Sequence, residues 1–175
     1  MMRLKPENVS PAKYAAVMGL LFAAASALNI LESAFSAFLP AGIRVGLSNI
    51  VIMAAILSLN LPSALVLVLL KAVLVLFTRG VTAGAMSFCG SLAAFIVTAV
   101  LFRKTTASYV LISVLGAFSH SLGQLLAAWG ILGTASVFAY APILAAASMI
   151  TGIGTGIVLK AVFPHIKRII PNIKQ

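Results

Sequence analysis

Six membrane-crossing α-helices packed as one all-α bundle are expected from this sequence, on three grounds. The 175-residue chain is 62% apolar and 8% charged, where a soluble domain carries roughly 25% charged residues and about 45–50% apolar ones. Its apolar residues gather in six blocks of helical length. Its Lys and Arg residues stand at the ends of those blocks, with one exception, Lys71. Such a composition disfavours a soluble enzyme domain and excludes a disordered chain. Residues 1–175 are expected to form a single integral membrane domain. At about 20 residues per crossing plus turns, the length allows about six crossings.

The first block covers residues 14–31 and follows a basic tail, 1–13. Ala23-Ala24-Ala25 within it resembles a signal-peptide cleavage site. The run is long, however, and its removal would leave five spans with basic ends on opposite sides, so a retained helix is expected. The second block, 45–59, is short and ends at Asn60-Leu61-Pro62; the third covers 63–77. One broken or re-entrant hairpin is the alternative for this pair. Two tilted helices are favoured, because flanking residues extend the reach of each. The fourth block covers 81–102, the fifth 109–129 and the sixth 137–163, with Pro142 near its start and a basic tail, 164–175, after it. In hydrocarbon every backbone polar group must be paired within its own segment or in a closed barrel. Barrel strands would appear as alternating segments of about 10 residues; none occurs, so the blocks are expected to be helices.

Orientation follows from the basic residues of the connections. The N-terminal tail (Arg3, Lys5, Lys13), the fourth connection (Arg103, Lys104) and the C-terminal end (Lys160, Lys167, Arg168, Lys174) hold nine, against two on the opposite side, Arg44 and Arg79. Both termini are therefore expected in the cytoplasm, with the chain in the plasma membrane. Topology then explains most of the net charge of +10. Nucleic-acid binding is disfavoured, because phosphate-binding basic residues cluster on one face with polar company.

That orientation gives each intramembrane polar residue a depth. Asn29 and Glu32 fall near the outer end of the first helix, and Arg44, Ser48 and Asn49 at the outer start of the second. Lys71 lies past the middle of the third helix and Arg79 at its exit. Ser87 and Cys89 fall in the outer half of the fourth, and His120 and Gln124 in the outer half of the fifth. Tyr140 is outer and Thr151 central on the sixth. The inner halves of helices two to five are almost purely apolar. A buried ionisable group costs roughly 2.5–3.5 kcal/mol on insertion scales and marks a site by default. An outward pocket lined by Asn29, Glu32, Arg44, Asn49, Lys71, Arg79, His120 and Gln124 is expected, over an apolar floor. Its cationic balance favours a ligand with a carboxylate or phosphate.

Blander roles compete for these residues. Arg44 and Arg79 can snorkel to headgroups, and Glu32 can pair with Arg44. His120 and Gln124, spaced i, i+4 on one face, can bond a neighbouring helix for about 0.6 kcal/mol. His165 sits in the opposite tail and Cys89 is the one cysteine, so neither a metal site nor a disulfide is expected. The chain has no phosphate-binding loop, no Asp to hold magnesium on a diphosphate and no Ser-His-acid set. No catalytic residue and no cofactor are expected, and any ATP must be hydrolysed by another chain.

Small residues give a further signal. Ala15, Gly19, Ala23 and Ala27 repeat every four residues on the first helix, a stripe that lets another backbone approach closely. Gly116, Ser119 and Gly123 on the fifth helix, and Gly152 and Gly156 on the sixth, do likewise. Packing within the bundle is the alternative use. The first-helix stripe is long enough to dock another membrane subunit.

Two stretches carry a family resemblance. Gly42-Ile43-Arg44-Val45-Gly46-Leu47-Ser48-Asn49-Ile50 resembles the Gly-x-(Lys/Arg)-x-Gly-Leu-x-Asn-Ile signature of the Gx transporter family. Gly116-Ala117-Phe118-Ser119-His120-Ser121-Leu122-Gly123-Gln124 resembles its Gly-Ala-x-x-His-x-x-Gly-Gln signature. Ala141-Pro142-Ile143 and Thr151-Gly152-Ile153-Gly154-Thr155-Gly156 are similar to its last helix. The likeness covers roughly residues 32–163. That family, often labelled heptaprenyl diphosphate synthase component I, belongs with the substrate-binding S components of energy-coupling factor (ECF) transporters. The resemblance implies a six-helix S-component-like bundle with an outward site beneath the first connection. It implies that the first-helix stripe, with Gly19 departing from an all-Ala pattern, docks onto a transmembrane coupling subunit carried by two ATPases. It also implies that the loaded subunit topples in the bilayer. Many relatives take vitamins. An accessory role in isoprenoid or quinone biosynthesis, or in a redox-lipid system, is the alternative. A carrier moving protons through Glu32 or His120 is a third.

Overall fold

The computed structural model describes residues 10–36 and 46–169. They form six helices in the expected order: α1 (Pro11–Ser36), α2 (Asn49–Ser58), α3 (Leu61–Arg79), α4 (Val81–Lys104), α5 (Tyr109–Leu132) and α6 (Ala141–Ile169). A 3₁₀ turn, Ala135–Tyr140, precedes α6, and there is no strand among the described residues. Five of the helices are long and apolar enough to cross a membrane. The protein is thus an all-α, multi-pass membrane bundle.

Local chemistry sets the helix ends. Pro11 opens α1, where its missing N–H is not needed. Asn60 caps α3, its Oδ1 accepting from the Ser63 N–H at 2.8 Å, with Pro62 in the first turn. Gly80 alone separates α3 from α4, at φ 91°, a conformation that side chains resist. Ser108 caps α5, its hydroxyl accepting from the Leu111 N–H at 3.2 Å, and Gly133 closes that helix in the left-handed region.

Two elements differ from expectation. The second helix covers 49–58 rather than 45–59, because Gly46 takes φ 79° and residues 47–48 form a turn. At 1.5 Å per residue it is about 15 Å long, half the roughly 30 Å of a bilayer core. It touches all five other helices, and eight of its ten residues are buried. A helix apolar on every side belongs inside a bundle, and α2 is the plug of this one. The sixth block starts as the 3₁₀ turn, and α6 begins at Ala141 with Pro142 in its first turn, where proline is tolerated. It then runs through Pro164 to Ile169, into the expected tail.

The core around α2 is apolar. Ile52, Ala55 and Ile56 pack on Ala64, Leu67 and Val68 of α3 and Ala99 of α4. Met53 and Ala54 pack on Ile112 of α5 and Leu159 of α6. The outer surface is apolar too: Leu20, Phe77 and Ile150 are each more than two-thirds exposed, as lipid-facing residues are.

Candidate polar site at one end of the bundle

Helices in an antiparallel chain bring the end of one beside the start of the next. The polar residues of α1 and α3 lie past their midpoints, and those of α2 and α4 at or before theirs, so the topology gathers them at one end. Asn29, Glu32, Asn49, Lys71, His120 and Gln124 are all buried, none more than 7% exposed.

Lys71 joins three helices. Its Nζ donates to Asn49 Oδ1 of α2 and to Ser91 Oγ of α4, each at 3.0 Å. Glu32, at the end of α1, accepts from the Gly46 N–H and so fastens the turn before α2. That turn needs a glycine: a Cβ on Gly46 would lie 3.0 Å from His120 Cδ2 and 3.1 Å from Asn49 Nδ2. The imidazole also meets a second glycine, Gly90 of α4, where a Cβ would lie 2.9 Å from His120 Cε1. His120 therefore packs against two glycines. The amide of Gln124 donates to His120 Nε2 at 2.6 Å, within one helix. Below the Gly46 turn lies a cavity of about 10 Å³, lined in part by Asn49, Thr98, Ser113, Thr151 and Thr155. It has room for about one water.

The expected site residues separate into groups. Asn49 and Lys71 meet directly, and His120, Gln124 and Glu32 surround the Gly46 turn beside them. Asn29 is buried one turn before Glu32 on α1. Arg79 stands apart: it is exposed in the last turn of α3, eight residues beyond Lys71, or about 12 Å along the helix. Arg44 lies outside the described residues. Among the described residues no three His, Cys, Asp or Glu side chains gather as metal ligands would.

Ser91 belongs to the cluster and was not singled out from the sequence. Its signal is a face of small and polar residues on α4, Gly84, Ser87, Ser91 and Ala94, all buried. Two hydroxyl pairs between α5 and α6 were also missed, Ser113–Thr155 at 2.7 Å and Ser121–Ser148 at 2.6 Å.

The small-residue stripes divide cleanly. Gly152 and Gly156 serve the bundle: a Cβ on either would lie 2.5 Å and 2.6 Å from the Cα atoms of Val114 and Val110. Gly116 and Gly123 press on Thr98 and Cys89 of α4 in the same way. Ala15, Gly19, Ala23 and Ala27 are all exposed, and a Cβ on Gly19 would meet nothing within 4 Å.

With the geometry in place, comparison with known proteins gives one match. The family model described as heptaprenyl diphosphate synthase component I covers residues 21–162. No curated protein and no solved structure matches significantly. The matched span takes in well over half of the chain and all of the polar cluster, from Asn29 to Gln124. The chain belongs to the heptaprenyl diphosphate synthase component I family.

Proposed function

We propose that the protein is the membrane-embedded, substrate-binding subunit of an ECF-type ATP-driven importer for a small, anionic, vitamin- or cofactor-like solute. The observation that carries this reading is Lys71. The residue is 2% exposed, in a helix apolar enough to cross a membrane. A charged residue there costs roughly 2.5–3.5 kcal/mol, and packing alone would be served by a leucine. Asn49 and Ser91 bond Lys71 directly, and His120 and Gln124 stand by the neighbouring Gly46 turn. Because the Gly46 turn lies against His120 and Asn49, a solute enters by displacing that turn. Arg79, exposed at its helix end, is assigned to headgroups by snorkelling. Arg44, two residues before Gly46, stays a ligand candidate on sequence grounds.

The rest of the reading follows the charge count and the exposed stripe. Both termini face the cytoplasm of the plasma membrane. Ala15, Gly19, Ala23 and Ala27 dock a transmembrane coupling subunit, and two ATPase subunits hydrolyse the ATP. The chain itself binds and does not catalyse; it has no Asp with which to hold magnesium on a diphosphate.

Mass spectrometry of small molecules that co-purify with the detergent-solubilised protein identifies the solute. The Lys71→Met variant is then expected to bind it at least about tenfold more weakly, about 1.4 kcal/mol. Unchanged affinity overturns the assignment. The family description favours a second reading, an accessory membrane subunit for isoprenoid or quinone biosynthesis or a redox-lipid system. Co-purification separates the two: ATPase subunits support import, and a prenyl transferase without ATPases supports the accessory role.

A further inference from the structure

Three buried polar atoms toward the Lys71 end of the bundle have no hydrogen-bond partner among the described residues: Ser48 Oγ, Asn49 Nδ2 and Ser87 Oγ. Their residues are 0%, 7% and 1% exposed. A buried polar atom left unpaired is costly, and native structures hold only a few. Three in one place require a cause.

Asn49 touches the Lys71 ammonium, and Ser48 and Ser87 stand on the segments that carry its two partners. Asn49 receives the Lys71 Nζ–H on its Oδ1, so its amide nitrogen is the other end of a polarised group. Ser48 precedes Asn49 in the chain. Ser87 lies one turn before Ser91, the second acceptor of Lys71, on the same buried face of α4. Chemistry sets what these atoms can take. An amide NH₂ only donates, and a hydroxyl donates or accepts. Neutral donors beside a cation complement an oxyanion without adding like charge. Hydrogen bonds to a charged acceptor are also stronger than those between neutral groups. The pair His120 and Gln124 differs: their side chains bond one another through the ring Nε2, and the ring packs against Gly46 and Gly90. Theirs is a positioning role under the Gly46 turn.

We infer that Ser48, Asn49 and Ser87 are the donors that hold the oxygen atoms of a carboxylate or phosphate group, with Lys71 supplying the charge. The inference rests on the solute-binding reading and adds to it which side chains take the anionic end. Ser48 and Ser87 become binding residues, and the anionic end lies at the seam of α2, α3 and α4.

The test uses inorganic phosphate and acetate as probes on the full-length, detergent-purified protein. Unfolding midpoints are followed as each anion is titrated, for wild type, Ser48→Ala, Ser87→Ala and Lys71→Met. One of the two anions is expected to raise the wild-type midpoint, which also distinguishes a phosphate seat from a carboxylate seat. Both serine variants are expected to weaken that anion about tenfold. Their anion-free midpoints are expected to be unchanged or higher, because a methyl group in place of an unpaired hydroxyl removes a desolvation cost. Two results overturn the inference and leave the solute-binding reading standing. One is a wild-type response that Lys71→Met abolishes and both serine variants retain. The other is a lowered anion-free midpoint in both serine variants with unchanged anion affinity. No wild-type response to either anion overturns the anionic-solute reading itself.

Discussion

Gly46 is the residue on which the site turns. It combines φ 79° with contacts on two sides, to His120 and Asn49. Gly46→Ala therefore meets both a strained backbone and a crowded Cβ. A loss of about 1–3 kcal/mol in unfolding free energy is expected, read as a lower unfolding midpoint in detergent. Gly19→Ala is the control: it is exposed, its Cβ meets nothing, and alanine gains about 0.8–1.0 kcal/mol over glycine in a helix. An unchanged midpoint for Gly46→Ala would mean that the turn does not hold this conformation. Lys71 was legible in the sequence because a cation inside an apolar run stands out against its neighbours. Its partner Ser91 was not. Serine and threonine in apolar helices commonly satisfy their own hydroxyls: Ser26 bonds Phe22 O, Ser33 bonds Asn29 O and Ser119 bonds Leu115 O. In sequence, a serine that reaches another helix looks the same. The Glu32–Gly46 bond was hidden for a related reason, since its donor is a backbone N–H and every residue but proline has one.

Among the elements, the α5–α6 seam joins close backbone approach to hydroxyl pairing. Gly152 and Gly156 let the two backbones meet, and the Ser113–Thr155 and Ser121–Ser148 pairs cross the same seam. A Cβ on Gly152 would strike the Val114 backbone at 2.5 Å, and backbone cannot swing aside as a side chain does. Gly152→Ala is expected to destabilise by about 1–3 kcal/mol, the cost of overpacking. A double-mutant cycle on Ser121→Ala and Ser148→Ala is expected to give a coupling of about 0.6 kcal/mol and no more than about 1.7. Denaturant unfolding in mixed micelles measures both. Helix number and order were legible, because in lipid a run of apolar residues has few other solutions. Helix length was less so. The run at 45–59 is apolar all round, and a sequence does not distinguish a side facing lipid from one facing protein. The stop at Asn60-Leu61-Pro62 was legible; the positive φ of Gly46, which moves the start to Asn49, and the burial of every side were not.

On the scale of the whole molecule, α1 is the peripheral helix. Only 11% of its most apolar stretch is buried, against 50% for α5, and among the described residues it packs chiefly on α2 and α3. Its exposed side carries one stripe of small residues beside the bulky Leu20, Ile30 and Leu31. Met18, Leu21, Phe22, Ala25, Asn29 and Glu32 turn inward, while Ala15, Gly19, Ala23 and Ala27 are exposed. Lipid does not ask for small residues, since it wets a leucine as readily as an alanine; a second backbone does. If the stripe docks the coupling subunit, Ala23→Leu will leave the unfolding midpoint and anion response of the isolated protein unchanged. The same substitution will reduce the ATPase subunits that co-purify with it from membranes, because the branched side chain holds the helices apart. A lowered midpoint would instead make the stripe part of this fold. Full capture by a stable Ala23→Leu protein would place the docking face elsewhere.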